Sequence, residues 1–169
     1  MNPSQPPNPK RSSVSPFRPT VRGCVGQDPP LARVAEEFYH ELLTSSVAYT
    51  YRSLLAEEED PLLADRLDGF SVEDAEHFRM LGRLILALGG DPTHRTRITV
   101  GGEHASLPSA LPALLQETLV GEKRLIDRLE TLMGKSRDRV VRSLLSYILE
   151  DHSRRLRFLE KEHADRTRK

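Results

Sequence analysis

The stretch VEDAEHFRMLGRLILALGGDP, residues 72–92, decides how this chain folds. Its leucines recur at intervals of three and four positions, which is the spacing of one face of an α-helix. Gly89 and Gly90 follow the last leucine, and a glycine there supplies the left-handed residue that commonly ends a helix. Asp74 and His77 continue the leucine face toward the N-terminus. The stretch therefore predicts an amphipathic helix that turns a carboxylate and an imidazole toward the core.

Similar patterns predict three more helices, so we expect an all-α protein. Asp28 and Asp60 are each followed by proline, which predicts a helix start, because aspartate caps a first turn and proline fits into it. We expect Gly134 to end the third helix and Ser136 to cap the fourth. The four predicted helices cover about residues 31–56, 61–88, 108–133 and 136–163.

The lengths of the connections predict how these helices are arranged. Only a few residues separate the first helix from the second and the third from the fourth, so each pair forms an antiparallel hairpin. Residues 91–107 form a connection far longer than a hairpin needs. Extended, they reach about 56 Å, whereas a helix of about 28 residues is about 42 Å long. The sequence therefore predicts a four-helix bundle of two antiparallel hairpins joined by a long crossover, with the second and third helices parallel. A long connection that does not cross the bundle is the alternative.

Each predicted helix places a polar residue in the middle of its apolar face. From the first helix to the fourth these residues are Glu41 or Ser45, Asp74 and His77, Glu122, and Asp151 or His152. On the fourth helix we expect only one of the two to face inward, because neighbouring residues point about 100° apart. A buried charge without a partner costs several kcal/mol. The pattern therefore favours a metal site, with a structural polar network as the alternative.

Composition narrows the classes of function. Lys and Arg number 25 and Asp and Glu number 25, so the basic footprint of a nucleic-acid-binding protein is absent. No apolar run approaches the roughly 18 residues of a membrane span. Cys24 is the single cysteine, which favours a reducing compartment. We expect a soluble, cytoplasmic protein with no nucleic-acid or membrane partner.

The composition also divides the chain into three parts. Residues 1–30 are rich in proline and serine and have no apolar period, so we expect a disordered arm that is dispensable for folding. Residues 31–163 form the bundle, and residues 164–169 are expected to fray. The first helix carries a second apolar side, which exceeds the needs of one core and predicts a homodimer. This second side consists of Leu43, Val47, Tyr51 and Leu54.

The segments DP at residues 60–61, LGRLILALGGDP at 81–92 and GEKRLIDRL at 121–129 resemble the ferritin-like superfamily, and within it rubrerythrin-like bacterial proteins related to manganese catalases. The resemblance implies that each half of the bundle supplies one Glu and one Glu-x-x-His, which together hold two iron or manganese ions. Asp74, His77 and Glu122 match this pattern. The implied activity is redox chemistry on peroxide or oxygen. Electrons would come from an external donor, because the chain has no rubredoxin-like cysteine pairs.

The fourth helix departs from the family pattern. It reads LEDHSRRL at residues 149–156, so the Glu-x-x-His is missing. Arg154 stands at the histidine position if Asp151 is aligned, and Arg155 if His152 is. Two hypotheses therefore follow. The chain is a metal-binding oxidoreductase, or it is a non-catalytic structural or interaction bundle in which an arginine has replaced the cation by an internal salt bridge.

Overall fold

A computed structural model describes residues 26–93 and 111–168 of the chain. These residues form four α-helices, named α1 (Pro29–Ala56), α2 (Pro61–Ala87), α3 (Leu111–Lys135) and α4 (Arg139–Thr167). The two described ranges contain no strand, and the all-α prediction is confirmed. Within them, none of the helices combines the length and apolar character that crossing a bilayer requires. The predicted arm lies outside the described residues as far as residue 25.

Three of the predicted helix boundaries are confirmed by their capping geometry. Asp28 Oδ1 accepts a hydrogen bond from the backbone N of Leu31 at 3.0 Å, and Asp60 Oδ1 accepts one from Leu63 at 3.0 Å. These bonds satisfy backbone groups that the first turn leaves without a partner. Gly89 has a φ of 85°, the left-handed conformation that ends α2.

The boundary between α3 and α4 differs from the prediction. Helix α3 continues through Gly134 to Lys135, so this glycine does not end it. The N-cap of α4 is Asp138, whose Oδ1 accepts from Val140 N at 2.7 Å. Ser136, the predicted cap, instead accepts from the backbone N of Asp138 at 3.2 Å. An aspartate two residues later outcompetes the serine because its carboxylate also accepts a second backbone N–H in the first turn.

Helix α4 also ends four residues later than predicted, at Thr167. Arg166 connects the last turn of α4 to the start of α2, because its guanidinium contacts Asp60. The same group lies 3.2 Å from Glu162, one turn earlier in α4. Arg166 and Asp60 are far apart in the sequence, so local patterns do not predict this contact.

Two apolar clusters show how the helices run. One joins the first half of α1 and of α4 to the second half of α2 and of α3, with Phe38, Ile85, Leu129 and Leu145 among its members. The other joins the opposite halves, with Ala56, Leu67, Leu115 and Leu159. Helices α2 and α3 therefore begin at the same end of the bundle, and their predicted parallel direction is confirmed. The connection between them starts and finishes at opposite ends, although residues 94–110 lie outside the described part.

The tightest helix contact is that of α1 with α2. The rings of Tyr39 and Phe78 stack with centroids 3.9 Å apart. Gly82 permits this approach, because a Cβ atom there would lie 3.1 Å from the ring of Tyr39. Further along, Ser46 Oγ lies 3.0 Å from the carbonyl O of Ser71, to which it donates. Helix α1 also packs against α3, and α4 against both α3 and α2, so α2 and α3 are diagonal neighbours.

Candidate metal centre

A layer of buried polar side chains lies between the two apolar clusters, and all four helices contribute to it. Every member exposes 9% of its surface or less. The layer consists of Tyr49 from α1, Asp74 and His77 from α2, Glu122 from α3, and Asp151, His152 and Arg155 from α4. Polar groups that are enclosed in this way must find partners within the layer or from a bound ion.

His77 is held by a carboxylate on one of its ring nitrogens. Its Nε2 lies 3.1 Å from Asp151 Oδ2, while its Nδ1 points toward Asp74, 3.9 Å from Oδ1. Burial lowers the pKa of His77, and this outweighs the opposing hydrogen bond to Asp151. The neutral ring is therefore favoured. The ring then carries its proton on Nε2 and donates it to Asp151. The lone pair of Nδ1 points toward Asp74.

His152 has the complementary arrangement. Its Nδ1 lies 2.8 Å from Glu122 Oε2, and its Nε2 lies 3.7 Å from Asp74 Oδ1. Burial tends to raise the pKa of Glu122, but the hydrogen bond to His152 and the charge of Arg155 outweigh it and leave this pKa below its usual value. Glu122 is therefore a carboxylate that can accept a hydrogen bond from His152 Nδ1–H.

Two buried ring nitrogens, His77 Nδ1 and His152 Nε2, have no hydrogen-bond partner among the described residues, and both face Asp74. The Oδ2 atom of Asp74 is likewise buried and has no partner there. Asp74, His77 and His152 each offer one ligand atom, and these atoms all lie within 4.8 Å of one another. Leaving such groups unpaired costs about 1–3 kcal/mol each. One cation between the two rings and Asp74 would satisfy both ring nitrogens, and each histidine already has the carboxylate partner that metal-bound histidines usually have. The residues therefore fit a metal ion.

A fixed positive charge stands beside these three ligands. Arg155 is fully buried, and its Nη1 donates to Asp74 Oδ1 and lies 3.8 Å from Glu122 Oε1. Its Nε donates to Glu73 Oε2 at 2.9 Å. Burial alone would lower the pKa of Arg155, but the facing carboxylates raise it above its usual value. The guanidinium thus takes the place of a cation on one side of Asp74.

Both candidates on α4 belong to the layer, but only His152 lies at its centre. His152 lies at the centre, whereas Asp151 lies at the edge of the layer, between His77 and Arg154 Nη2 at 2.8 Å. The two side chains point about 100° apart. Because α4 has a neighbour on each side, one side chain reaches toward α3 and the other toward α2.

The expectation for the first helix is wrong. Glu41 lies outside the layer and pairs with Arg124 Nη2 at 3.3 Å and Arg128 Nη2 at 3.2 Å. Ser45 faces a cavity between α1 and α3. The contribution of α1 to the layer is Tyr49, whose hydroxyl donates to Glu122 Oε1. A tyrosine on an apolar stripe resembles an ordinary core residue, and nothing in the sequence marked it as polar in function.

The comparison with known families agrees with this arrangement. A model described as a ferritin-like domain matches residues 32–168, which include almost all of the four helices. The chain belongs to the ferritin-like domain family. Among curated proteins, no sequence matches it. The superfamily part of the resemblance is thereby confirmed. A ferritin-like domain that brings together Asp74, His77 and His152 fits a metal-binding protein.

Proposed function

We propose that this ferritin-like protein binds one iron or manganese ion through Asp74, His77 and His152, and that it works in redox chemistry on peroxide or oxygen. The observation that carries the proposal is that two unpartnered buried imidazole nitrogens face the buried carboxylate of Asp74. Two imidazoles and one carboxylate form the ligand set typical of non-haem iron(II), with coordination positions left open. When bound, such an ion supplies the electron transfer, and the chain supplies its geometry.

One ion, rather than the two implied by the family resemblance, follows from Arg155. Paired metal ions in proteins lie about 3.5–4 Å apart. The guanidinium of Arg155 already contacts Asp74 and faces Glu122, the carboxylates that a second ion would need. A second divalent ion between Asp74 and Glu122 would meet this fixed positive charge directly.

The remaining residues of the layer hold the ligands in place. Asp151 fixes the ring of His77, and Glu122 fixes that of His152. Tyr49 in turn donates to Glu122. Such outer partners typically affect metal affinity by about 10–100-fold. Electrons come from a separate donor in this proposal, since the described residues contain no cysteine.

The test is metal content and metal binding in His77→Leu. The parent, purified without chelator and titrated anaerobically with iron(II) and with manganese(II), is expected to bind about one ion per chain. His77→Leu should bind at least about 10-fold more weakly. His163→Leu, near the end of the same helix that carries His152, is the matched control and should bind like the parent. A parent that binds no ion, or a His77→Leu variant that binds equally well, would overturn the proposal.

A specific observation also supports the second candidate, a structural bundle without metal. Arg155 is bonded to Asp74 and Glu73 and faces Glu122, which is an internal salt bridge where a cation would otherwise stand. Guanidinium groups suit such sites. This function predicts no bound metal and a melting temperature that chelator leaves unchanged. It leaves the three unpartnered atoms without explanation, and for this reason the metal site is preferred.

A further inference from the structure

The three candidate ligands are enclosed, so an ion must enter between helices. Asp74, His77 and His152 expose 2% of their surface or less. Above and below them, the two apolar clusters fill the described part of the bundle. A hydrated divalent ion does not cross a packed apolar core, because desolvating it there costs too much. The route must therefore lie in one of the seams between neighbouring helices.

Two of these seams are closed by side-chain contacts. Between α1 and α2, Tyr39 stacks on Phe78, and a hydroxyl cluster with Ser71 fills the gap further along. Between α2 and α4, Glu73 is paired with both Arg154 and Arg155.

The seam between α1 and α3 contains instead a cavity of about 340 Å³. Its wall includes Tyr49 and Glu122 from the polar layer, and nearer the surface His40, Glu41 and Arg124.

We propose that this α1–α3 cavity is the route by which a divalent ion reaches the centre, with the Tyr49–Glu122 hydrogen bond as its inner barrier. The inference rests on the proposed metal-binding function. Two residues of the cavity wall have atoms that could contact a passing cation. His40 Nε2 and Glu41 Oε2 are buried and have no partner among the described residues. Imidazole nitrogen and carboxylate oxygen are both ligands for iron and manganese.

The inner barrier connects the cavity directly to the ligands. Glu122 Oε1 accepts from Tyr49 at the cavity wall, and Glu122 Oε2 lies 2.8 Å from His152 Nδ1. The carboxylate of Glu122 thus has one oxygen toward the cavity and one toward a candidate ligand. An ion that displaces the Tyr49 hydroxyl meets the carboxylate of Glu122, whose Oε1 also lies 3.8 Å from Arg155 Nη1 and whose Oε2 contacts the candidate ligand His152. Glu41, which was expected to be a ligand of the centre, lies on this route.

The experiment fills the cavity without touching the layer. Ala48 lines the cavity wall, and Ala48→Leu and Ala48→Phe fill it in two steps. Thr131→Phe is the matched control, because Thr131 lines a second cavity of about 360 Å³ in the same α1–α3 seam that includes no residue of the polar layer. Loading and release of cobalt(II), a redox-stable probe, are followed by stopped-flow absorbance. Circular dichroism and thermal unfolding establish that each variant is folded.

We expect Ala48→Phe to slow loading and release by the same factor, at least 10-fold, with unchanged affinity and one ion per chain. Ala48→Leu should lie between it and the parent, and Thr131→Phe should match the parent. Equal loading rates in the parent and both Ala48 variants would overturn the route. So would faster loading in Arg154→Ala, because it would place the entrance in the α2–α4 seam. If Ala48→Phe does not fold, the Leu variant decides.

A second measurement needs no metal, so it separates the route from the function. The C2 hydrogen of a histidine ring exchanges with deuterated water only where water reaches the ring, and mass spectrometry of peptides resolves each histidine. Exchange at His152 should be at least threefold slower in Ala48→Phe than in the parent and unchanged in Thr131→Phe. A parent that binds no cobalt(II) would overturn the proposed function. Equal His152 exchange in parent and variant would overturn the route, whatever the metal result.

Discussion

Arg155 places a permanent positive charge inside the bundle, where it faces Asp74 and Glu122. Arg155→Met is expected to lower the free energy of unfolding of the metal-free protein by about 3–5 kcal/mol, because it leaves buried carboxylates without their cation. Arg157→Met, at an exposed position of α4, is the control and should change it by less than about 0.5 kcal/mol. Urea unfolding with chelator measures both. A change below about 1 kcal/mol in Arg155→Met would show that the guanidinium is not needed to balance these carboxylates.

The carboxyl group of Asp151 predicts how the stability of the fold depends on pH. Burial tends to raise the pKa of Asp151, but its hydrogen bond to His77 and the charge of Arg154 outweigh this and lower it. A carboxyl with a lowered folded-state pKa contributes stability that is complete above its unfolded-state pKa of about 3.9 and is lost as pH falls through the folded-state value. Asp151→Asn should therefore reduce the loss of stability below about pH 4. Asp165→Asn, which is exposed, should leave it unchanged. Urea unfolding between pH 2 and 6 tests this, and equal slopes in parent and Asp151→Asn would contradict it.

At the scale of the helices, the two aspartate N-caps offer a comparison. Asp28 and Asp60 cap α1 and α2 with the same geometry, but only Asp60 is also paired with Arg166 of α4. Replacing either by alanine should lower the free energy of unfolding by about 0.5–2 kcal/mol through loss of the cap. Asp60→Ala should cost up to about 1 kcal/mol more, which is the usual range of a partly exposed ion pair. Chemical denaturation of both variants measures the difference, and a larger loss in Asp28→Ala would show that Arg166 does not hold the end of α4.

The helices show which parts of the structure the sequence could predict. Helix starts at Asp28 and Asp60, the stop at Gly89 and the parallel direction of α2 and α3 all follow from local chemistry or from chain length. The centre was harder, because the sequence predicted Glu41 or Ser45 as the polar residue of the first helix and gave no reason to choose Tyr49. Which of them enters the layer depends on the arginines of α3 that pair with Glu41. Contacts between helices decide which side chain enters the layer, and the periodicity of a single helix gives no information about those contacts.

At the scale of the whole molecule, several large apolar side chains of α1 and α2 are exposed. Tyr51 exposes 49% of its surface, Leu54 60% and Val72 58%. The hydroxyl of Thr50 lies 2.8 Å from that of Ser71, so the neighbouring Tyr51 and Val72 lie beside the same helix contact. Exposed apolar groups that lie together commonly mark an interface between proteins.

We therefore keep the prediction of a homodimer, made from the first helix alone, and propose that α1 and α2 together form its interface. Leu54→Glu should weaken it, because a charge buried in an interface must lose its water without gaining a partner. The parent is expected to have the hydrodynamic mass of a dimer at micromolar concentration and Leu54→Glu that of a monomer, with unchanged helix content. Leu86→Glu tests whether the site of the charge matters, since Leu86 is similarly exposed at 62% but lies in the last turn of α2, far from Leu54 along the bundle. Sedimentation velocity distinguishes these outcomes. A monomeric parent would contradict the prediction, and equal weakening by both variants would mean that the interface is not centred on the contact between Thr50 and Ser71.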